Sequence, residues 1–315
     1  MAKLKALLLT EGYHGMISQV EGLAKALQAE FQHKIVRLNW PWNFIPPKLT
    51  PISEIILKDK HYINENKSFD LVISCGRKSV IPSAIIKKKN TNIFTIHIQD
   101  PKVNYKNFDV IIAPEHDDLK GENVISSKGS IHYITQSEIE KAKNYLVNKF
   151  QNENIVSLIL GGPTKYYSFS NEELTQVFKK IKSNFISQGH KVLVIPSMRT
   201  PKRIIDLAMK EFVKEGFVVN TVDKQAYLSA LALAANIVVT CDSTSMISEA
   251  AASGKPIFVA HMEPKKNNYR FEKFFQLFRE MGITKVLGEK VDNWTYNRFN
   301  EADRIATLMR KKLTN

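Results

Sequence analysis

The sequence predicts an α/β protein of two domains, each built on a parallel sheet, with the two domains facing a cleft. Three observations predict it. Short runs rich in Ile and Val recur along the chain without polar alternation, the pattern of strands covered on both faces. Segments with apolar residues at helical spacing lie between those runs. The series breaks in a polar, Asn- and Lys-rich stretch near residue 150 and then starts again, and 315 residues suit two domains of ordinary size.

In the first half the strand-like runs are Leu4–Thr10, His33–Leu38, Asp70–Cys75, Ile93–Ile98 and Asp109–Pro114. Between the first two, Val20, Leu23, Ala24 and Leu27 recur at helical spacing. An apolar helix ends in "KKKN" at Lys87–Asn90, where cations suit the helix dipole. The second half offers Ile155–Gly162, Lys191–Ser197, Phe217–Val222, Asn236–Cys241 and Pro256–Ala260. A helix opens at "SNEEL", capped by Ser170 or Asn171, with Glu172 and Glu173 in its first turn. Another starts with Pro201 as its first residue, a third is the Ala-rich "AYLSALALAA", and a small-residue helix follows Cys241. The expected domains are 1–150 and 151–290, with a C-terminal helix in 291–315 that crosses back to the first domain.

With 43% hydrophobic and 24% charged residues, the chain has enough apolar side chains for two cores. No apolar run reaches 18 residues, so no spanning helix is expected. The apolar run at Ala6–Leu9 is too short for a signal peptide. The two cysteines, Cys75 and Cys241, end predicted strands without CxxC spacing and read as buried thiols, not as a disulfide framework or metal cluster. The net charge of +14 comes mostly from Lys, 36 against 9 Arg, with no basic arm, so no specific nucleic-acid partner is expected.

In open parallel sheets ligands sit beyond the carboxyl ends of the strands. The second-half loops there read "GGPTKYY", "SMRTP" and "CDSTSM". Gly161 and Gly162 allow close backbone approach to a ligand or form a tight exit turn. They match neither GxGxxG nor a P-loop. Ser197, Arg199 and Thr200 follow the next strand, and Arg199 is suited to phosphate. The segment from Asp242 to Pro256 is the most informative. One of Asp242, Ser243, Thr244 or Ser245 suffices to cap the helix. The surplus, with Met246 in the same turn, suits an anion at the helix N-terminus. Glu249 shares a face with Ser245 and can take a ribose diol. The alternative is a well-capped helix with Glu249 as surface charge.

The "S/T-rich turn, SEAAA-x-GKP" segment resembles the donor site of GT-B glycosyltransferases, including the lipid-linked N-acetylglucosaminyltransferase of peptidoglycan synthesis. That resemblance implies two Rossmann-like domains, with Ser243–Met246 facing a nucleotide diphosphate and Glu249 on the ribose. A second resemblance covers nearly the whole chain. "TEGYHGMISQVEGLAKAL", "SCGRKSVIPSA", "QDPK", "FDVIIAPEHD", "GENVI", "LILGGPTKYY", "SMRTP", "VVTCDSTSMISEA" and "GKPIFVAHM" occur in the order seen in the mitochondrial-fission Elm family. That family's name implies an organelle-division adaptor, whereas the strand-end residues resemble those of an enzyme.

First-half strand ends supply candidate general bases and diphosphate-stabilising groups: Glu11 and His14, Arg77 and Lys78, Gln99 and Asp100, and Glu115, His116 and Asp117. Glu11, Asp100 and His116 are the catalytic candidates. No DxD motif occurs, and no cofactor or metal is expected, which matches GT-B enzymes that stabilise diphosphate with helix dipoles and cations. The Pro-rich "NWPWNFIPPKLTP", Asn39–Pro51, crowds Trp40, Trp42, Phe44 and Ile45 into one loop that either meets a bilayer or folds back over the sheet edge. The expected activity is sugar transfer from a nucleotide-sugar to a lipid or glycolipid acceptor of the cell envelope. The expected location is cytoplasmic, peripheral on the inner membrane. The alternatives are a non-catalytic interaction protein and a non-NAD nucleotide-sugar epimerase.

Overall fold

The structure is a computed structural model that describes residues 3–64, 68–150, 153–291 and 294–313. It divides into two compact units, one of Met1–Tyr133 with Asn300–Asn315 and one of Ile134–Phe299.

The first unit runs β1 (Lys5–Thr10), α1 (His14–Ala26), β2 (Glu30–Ile35), α2 (His61–Asn64), β3 (Leu71–Cys75), α3 (Val80–Lys89), β4 (Phe94–Ile98), β5 (Val110–Pro114) and β6 (Val124–Ser127). All strands are parallel, in the order β2-β1-β3-β4-β5-β6. Successive side chains alternate faces, and both faces are covered. Ala6, Leu8, Leu71, Ile73, Ile96 and Ile112 pack with α1 and the C-terminal helix, Glu301–Leu313. Leu7, Leu9, Val72 and Ile111 pack with α3 on the opposite side. This is why the strands read as unbroken apolar runs. The buried polar atoms inside the sheet are paired. Ser74 Oγ lies 2.8 Å from His97 Nδ1, and Thr95 Oγ1 donates to Asp109 at 2.9 Å.

The second unit runs α4 (Gln136–Ala142), β7 (Ile155–Leu160), α5 (Asn171–Asn184), β8 (Lys191–Pro196), α6 (Lys202–Glu211), β9 (Gly216–Val218), α7 (Lys224–Leu233), β10 (Asn236–Thr240), α8 (Thr244–Ala251), β11 (Ile257–Ala260), α9 (Tyr269–Glu280) and β12 (Thr284–Val286). Its six strands are also parallel, in the order β12-β11-β10-β7-β8-β9. Ser170 is the α5 cap, in a reciprocal capping box with Glu173. Pro201, expected as the first helical residue, stands instead at the N-cap of α6, whose first residue is Lys202.

Three details depart from the sequence expectation. β6 and β12 join the edges of their sheets, where short strands need no long apolar run. β2 starts three residues earlier than expected and is mostly exposed, as an edge strand can be. The units divide at Tyr133, not at 150, and the expected boundary at Gln151 lies outside the described residues. Residues 134–150 stay with the second unit because α4 packs on α7. Ser229 Oγ bridges Lys143 O and Leu146 N, and the Tyr145 hydroxyl donates to Asp223.

The C-terminal helix is part of the first unit. The Glu301 carboxylate is fully buried and accepts from Lys128 N at 2.9 Å and Arg304 Nε at 2.9 Å. Arg304 also donates to Ser126 O, and Arg310 donates to Ala26 O at the end of α1. Removing that carboxylate strands a backbone N–H and a half-buried guanidinium. Glu301→Ala should therefore lower unfolding free energy by about 2–4 kcal/mol in urea denaturation, with Glu301→Gln costing less because its amide oxygen still accepts from Lys128.

Candidate functional site

The second sheet reverses its strand order between β7 and β10, the position where open α/β sheets leave a crevice. The exits of β7 and β10 meet there. The Asp242 side chain is fully enclosed. Its Oδ1 accepts from Thr240 Oγ1 at 2.7 Å, and its Oδ2 accepts from Gly162 N at 3.3 Å and from an Arg199 terminal nitrogen at 2.6 Å. A carboxylate held this way is paired and hydrogen-bonded, the condition for burying it. Gly161 and Gly162 follow from this packing. A Cβ on Gly161 would lie 2.0 Å from Asp242 Oδ1, and one on Gly162 would lie 1.9 Å from Arg199 O. Gly161 N donates to Thr240 Oγ1 at 2.8 Å.

The β8 exit is tied into the same cluster. Thr200 Oγ1 lies 2.8 Å from both Leu160 O and Gly161 O, and it accepts from Ser197 N at 2.8 Å. Ser197 Oγ accepts from Arg199 N at 3.3 Å. Asp242, Ser197 and Thr200 are thus committed to internal bonds. Arg199 keeps 45% of its side chain exposed while one nitrogen holds Asp242, so it retains donors for a ligand.

Ser243 is the N-cap of α8 and accepts from Met246 N at 3.3 Å. Thr244 and Ser245 form the first helical turn. Ala250 and Ala251 are fully buried, which lets α8 lie close on β10 and β11. Glu249 follows one turn along. The residue is half-buried, and its Oε2 accepts from the Tyr227 hydroxyl at 3.1 Å. Burial pushes its pKa up to about 7, and the Tyr227 hydrogen bond opposes that only in part. Glu249 is thus half-buried and held by a phenol. Tyr227 and Thr240 were not singled out from the sequence. The one signal for Tyr227 was a lone phenol in an Ala-rich helix.

The first-unit candidates occupy strand exits but do not form one group. Glu11, after β1, accepts from Lys78 N at 3.1 Å and pairs with Lys78 Nζ at 3.5 Å. Asp100, after β4, pairs with Lys102 Nζ and accepts from Lys102 N at 2.9 Å. His116 Nε2, after β5, lies 3.6 Å from Asp117 Oδ1. β4 and β5 are neighbours, whereas β3 separates β1 from β4. The Glu11 carboxylate reaches over to the β3 exit, where Lys78 holds it, and Asp100 is held by Lys102, so each carboxylate closes its own local pair. The exposed His14 ring lies 3.0 Å from the Tyr133 hydroxyl. Arg77 donates to Asn43 O and Ile45 O, and so is spent on positioning backbone. Among the described residues no three His, Cys, Asp or Glu side chains are grouped as metal ligands, and no helix is long and apolar enough to cross a membrane.

Residues 14–313 match the family described as mitochondrial fission ELM1. An uncharacterised protein of Rickettsia prowazekii is 27% identical over 91% of this chain and 93% of its own length. The mitochondrial fission protein ELM1 of Arabidopsis thaliana is 24% identical over 77% of this chain, and the match spans 64% of that protein, less than two thirds of it. Among solved structures, the UDP-GlcNAc 2-epimerase of Neisseria meningitidis bound to UDP-GlcNAc superposes with a TM-score of 0.57 at 12% identity, covering 99% of this chain and 100% of that one. MurG of Acinetobacter baumannii gives 0.51 at 11% identity, covering 99% and 91%. These superpositions establish the shared GT-B-type fold.

Two outcomes test this geometry. Arg199→Ala leaves Asp242 without its cation and should cost about 2–4 kcal/mol of unfolding free energy in urea. Glu249 favours its protonated form in the folded chain. Its contribution to stability should thus be full below about pH 4.5, the ordinary value, and be lost, on the order of 2–3 kcal/mol, as pH rises through about 7. Denaturation of Glu249→Gln across that range should lack this loss.

Proposed function

Because this chain belongs to the mitochondrial fission ELM1 family and shares the GT-B-type fold, we propose that it is a metal-independent glycosyltransferase. It moves a sugar from a nucleotide-sugar to a lipid or glycolipid acceptor of the cell envelope, working at the cytoplasmic face of the inner membrane. The observation that carries the reading is Glu249: a half-buried carboxyl on α8, held by Tyr227 beside a helix N-terminus at the switch point. A solvated surface glutamate needs neither the burial nor the phenol.

In this reading the first turn of α8, Ser243 to Met246, faces the diphosphate, where the helix N-terminus stabilises the negative charge that grows as the glycosidic bond to phosphate breaks. Gly161 and Gly162 make room for the Asp242 carboxylate and the Arg199 backbone, and the exposed part of Arg199 supplies a donor to phosphate. Asp242, Thr200 and Ser197 position these groups through their internal bonds. The ionised Glu249 accepts from the ribose diol. A base removes the acceptor hydroxyl's proton, and His116, with the Asp117 carboxylate 3.6 Å away, is the strongest candidate because Glu11 and Asp100 are each neutralised by a lysine.

The epimerase architecture of the structural relatives favours one second reading, a non-NAD nucleotide-sugar epimerase that uses the same donor site without an acceptor. The non-catalytic adaptor implied by the family name requires no nucleotide site at all.

Thermal shift against UDP, GDP, CMP and their sugars should show stabilisation by one nucleotide class, and Glu249→Ala should lose most of it. No shift with any of them would sink both enzyme readings. Since a diol donates more strongly to an ionised carboxylate than to a neutral carboxyl, nucleotide-sugar affinity should rise by up to about tenfold from roughly pH 6 to pH 8 as Glu249 loses its proton. Calorimetry with a nucleotide-sugar, whose diphosphate diester does not titrate there, reads this directly, and the profile of Glu249→Gln should be flat. Product analysis in water without acceptor separates an epimerised nucleotide-sugar from unreacted donor.

A further inference from the structure

We infer that the first unit docks on an anionic lipid surface through the loop between Leu38 and Leu57 and seats a lipid phosphate in the cavity beneath that loop. This names the acceptor class of the proposed transfer, and for that role alone it rests on the transferase reading.

The loop is built, not loose. Leu38 and Leu57 form an antiparallel bridge, Asn39 N donates to Ile56 O at 2.7 Å, and the Asn39 side-chain amide donates to Ile55 O and Leu57 O. Thr50 Oγ1 donates to Pro46 O at 3.0 Å, and Arg77 holds Asn43 O and Ile45 O from the β3 exit. Trp42, Leu38 and Ile52 turn inward onto the core. The rest of the apolar surplus turns outward: Trp40 is 82% exposed, Phe44 75% and Leu49 67%. Large side chains fixed in water this way mark a surface made to be covered.

Charge selects the occupant. Arg37, Lys48, Lys58 and Lys60 are exposed around the loop. Of the two acidic residues of the same segment, Glu54 pairs with Lys89, and Asp59 accepts from His61 N, leaving one carboxylate against the four cations. Aromatic side chains ringed by cations suit the interface of an anionic bilayer, where the rings sit at headgroup depth and the cations meet phosphate. A protein partner with a hydrophobic knob would require no cationic ring.

The cavity joins the loop to the sheet. It encloses about 360 Å³ and is bordered by Pro46, Pro47 and Lys48 of the loop and by Arg77, Asp100 and Lys102 at the β3 and β4 exits. Of its three cations, Lys102 pairs with Asp100 and Arg77 holds the loop's carbonyls. Lys48 has no ion pair among the described residues, so its ammonium is available to an anion on the lipid side of the pocket. The buried His97 at the cavity wall is held neutral, its pKa lowered to about 3 by burial, so it does not compete as a fourth cation.

Co-sedimentation with phosphatidylglycerol-rich vesicles and with pure phosphatidylcholine vesicles tests the inference. The protein should bind the anionic vesicles and not the neutral ones. Trp40→Ala/Phe44→Ala, both at exposed positions, should lower binding at least tenfold, and Lys48→Glu should do the same without loss of fold by circular dichroism. No binding by the wild type, or equal binding by the double variant, overturns the inference. Thermal stabilisation by inorganic phosphate without vesicle binding would assign the cavity to a free phosphate instead. Self-association abolished by the double variant, again without vesicle binding, would assign the loop to a second copy of the chain. The nucleotide thermal shift is read on the same samples. Absent vesicle binding with an intact shift defeats this inference alone, and the reverse pattern defeats the transferase reading alone.

Discussion

The enclosed carboxylate of Asp242 is the constraint on which the second unit's site depends. It stands where the strand order reverses, and burial there demands a full set of partners. Thr240, Gly162 N and Arg199 supply them. Each partner then fixes something else. The space the carboxylate fills forbids a side chain at Gly161, and the Arg199 backbone forbids one at Gly162. Arg199 in turn requires the Ser197–Thr200 loop, whose threonine is stitched to the end of β7. The result is a rigid floor next to the start of α8. A helix N-terminus presents its dipole usefully only when its direction is fixed, and α8 is fixed by its packing on β10 and β11 directly after Asp242.

The two units use one architecture in different ways. In the second, three strand exits converge on a single ion pair. In the first, each exit closes its own local pair, Glu11 with Lys78 and Asp100 with Lys102, and Arg77 is turned away to grip the aromatic loop. That distribution suits a surface with several small tasks more than one catalytic cluster. It also leaves His116 as the strand-exit base whose partner is an acid and not a cation. The Glu301 network gives the same unit its last helix, so a segment far along the chain completes the core under β6.

Much of the fold was legible because sheets buried on both faces leave long apolar runs that no surface strand would tolerate. Eight of the strands, β1, β3, β4, β5, β7, β8, β10 and β11, announce themselves that way. β6 and β12 do not, since an edge strand of three or four residues is paired on one side only and needs little apolar sequence. The unit boundary at Tyr133 is hidden in the sequence for a related reason. Polarity near residue 150 looks like a linker, yet what assigns α4 is its contact with α7, and solvent-facing residues on a packed helix are as polar as a linker.

For the site, the sequence by itself determined which residues stand at strand ends, because the periodicity that defines a strand also defines where it stops. It also determined that the turn after β10 holds more polar groups than a cap requires. Only the tertiary structure decided how that surplus is spent. Ser243 caps, Asp242 is buried as a keystone, and Glu249 gains the phenol of Tyr227 and a carboxyl poised near neutrality. The physical reason is that burial and hydrogen-bond partners come from residues distant in the chain, Arg199 for Asp242 and Tyr227 for Glu249. A carboxylate's charge and role are set by that environment and not by its neighbours in sequence.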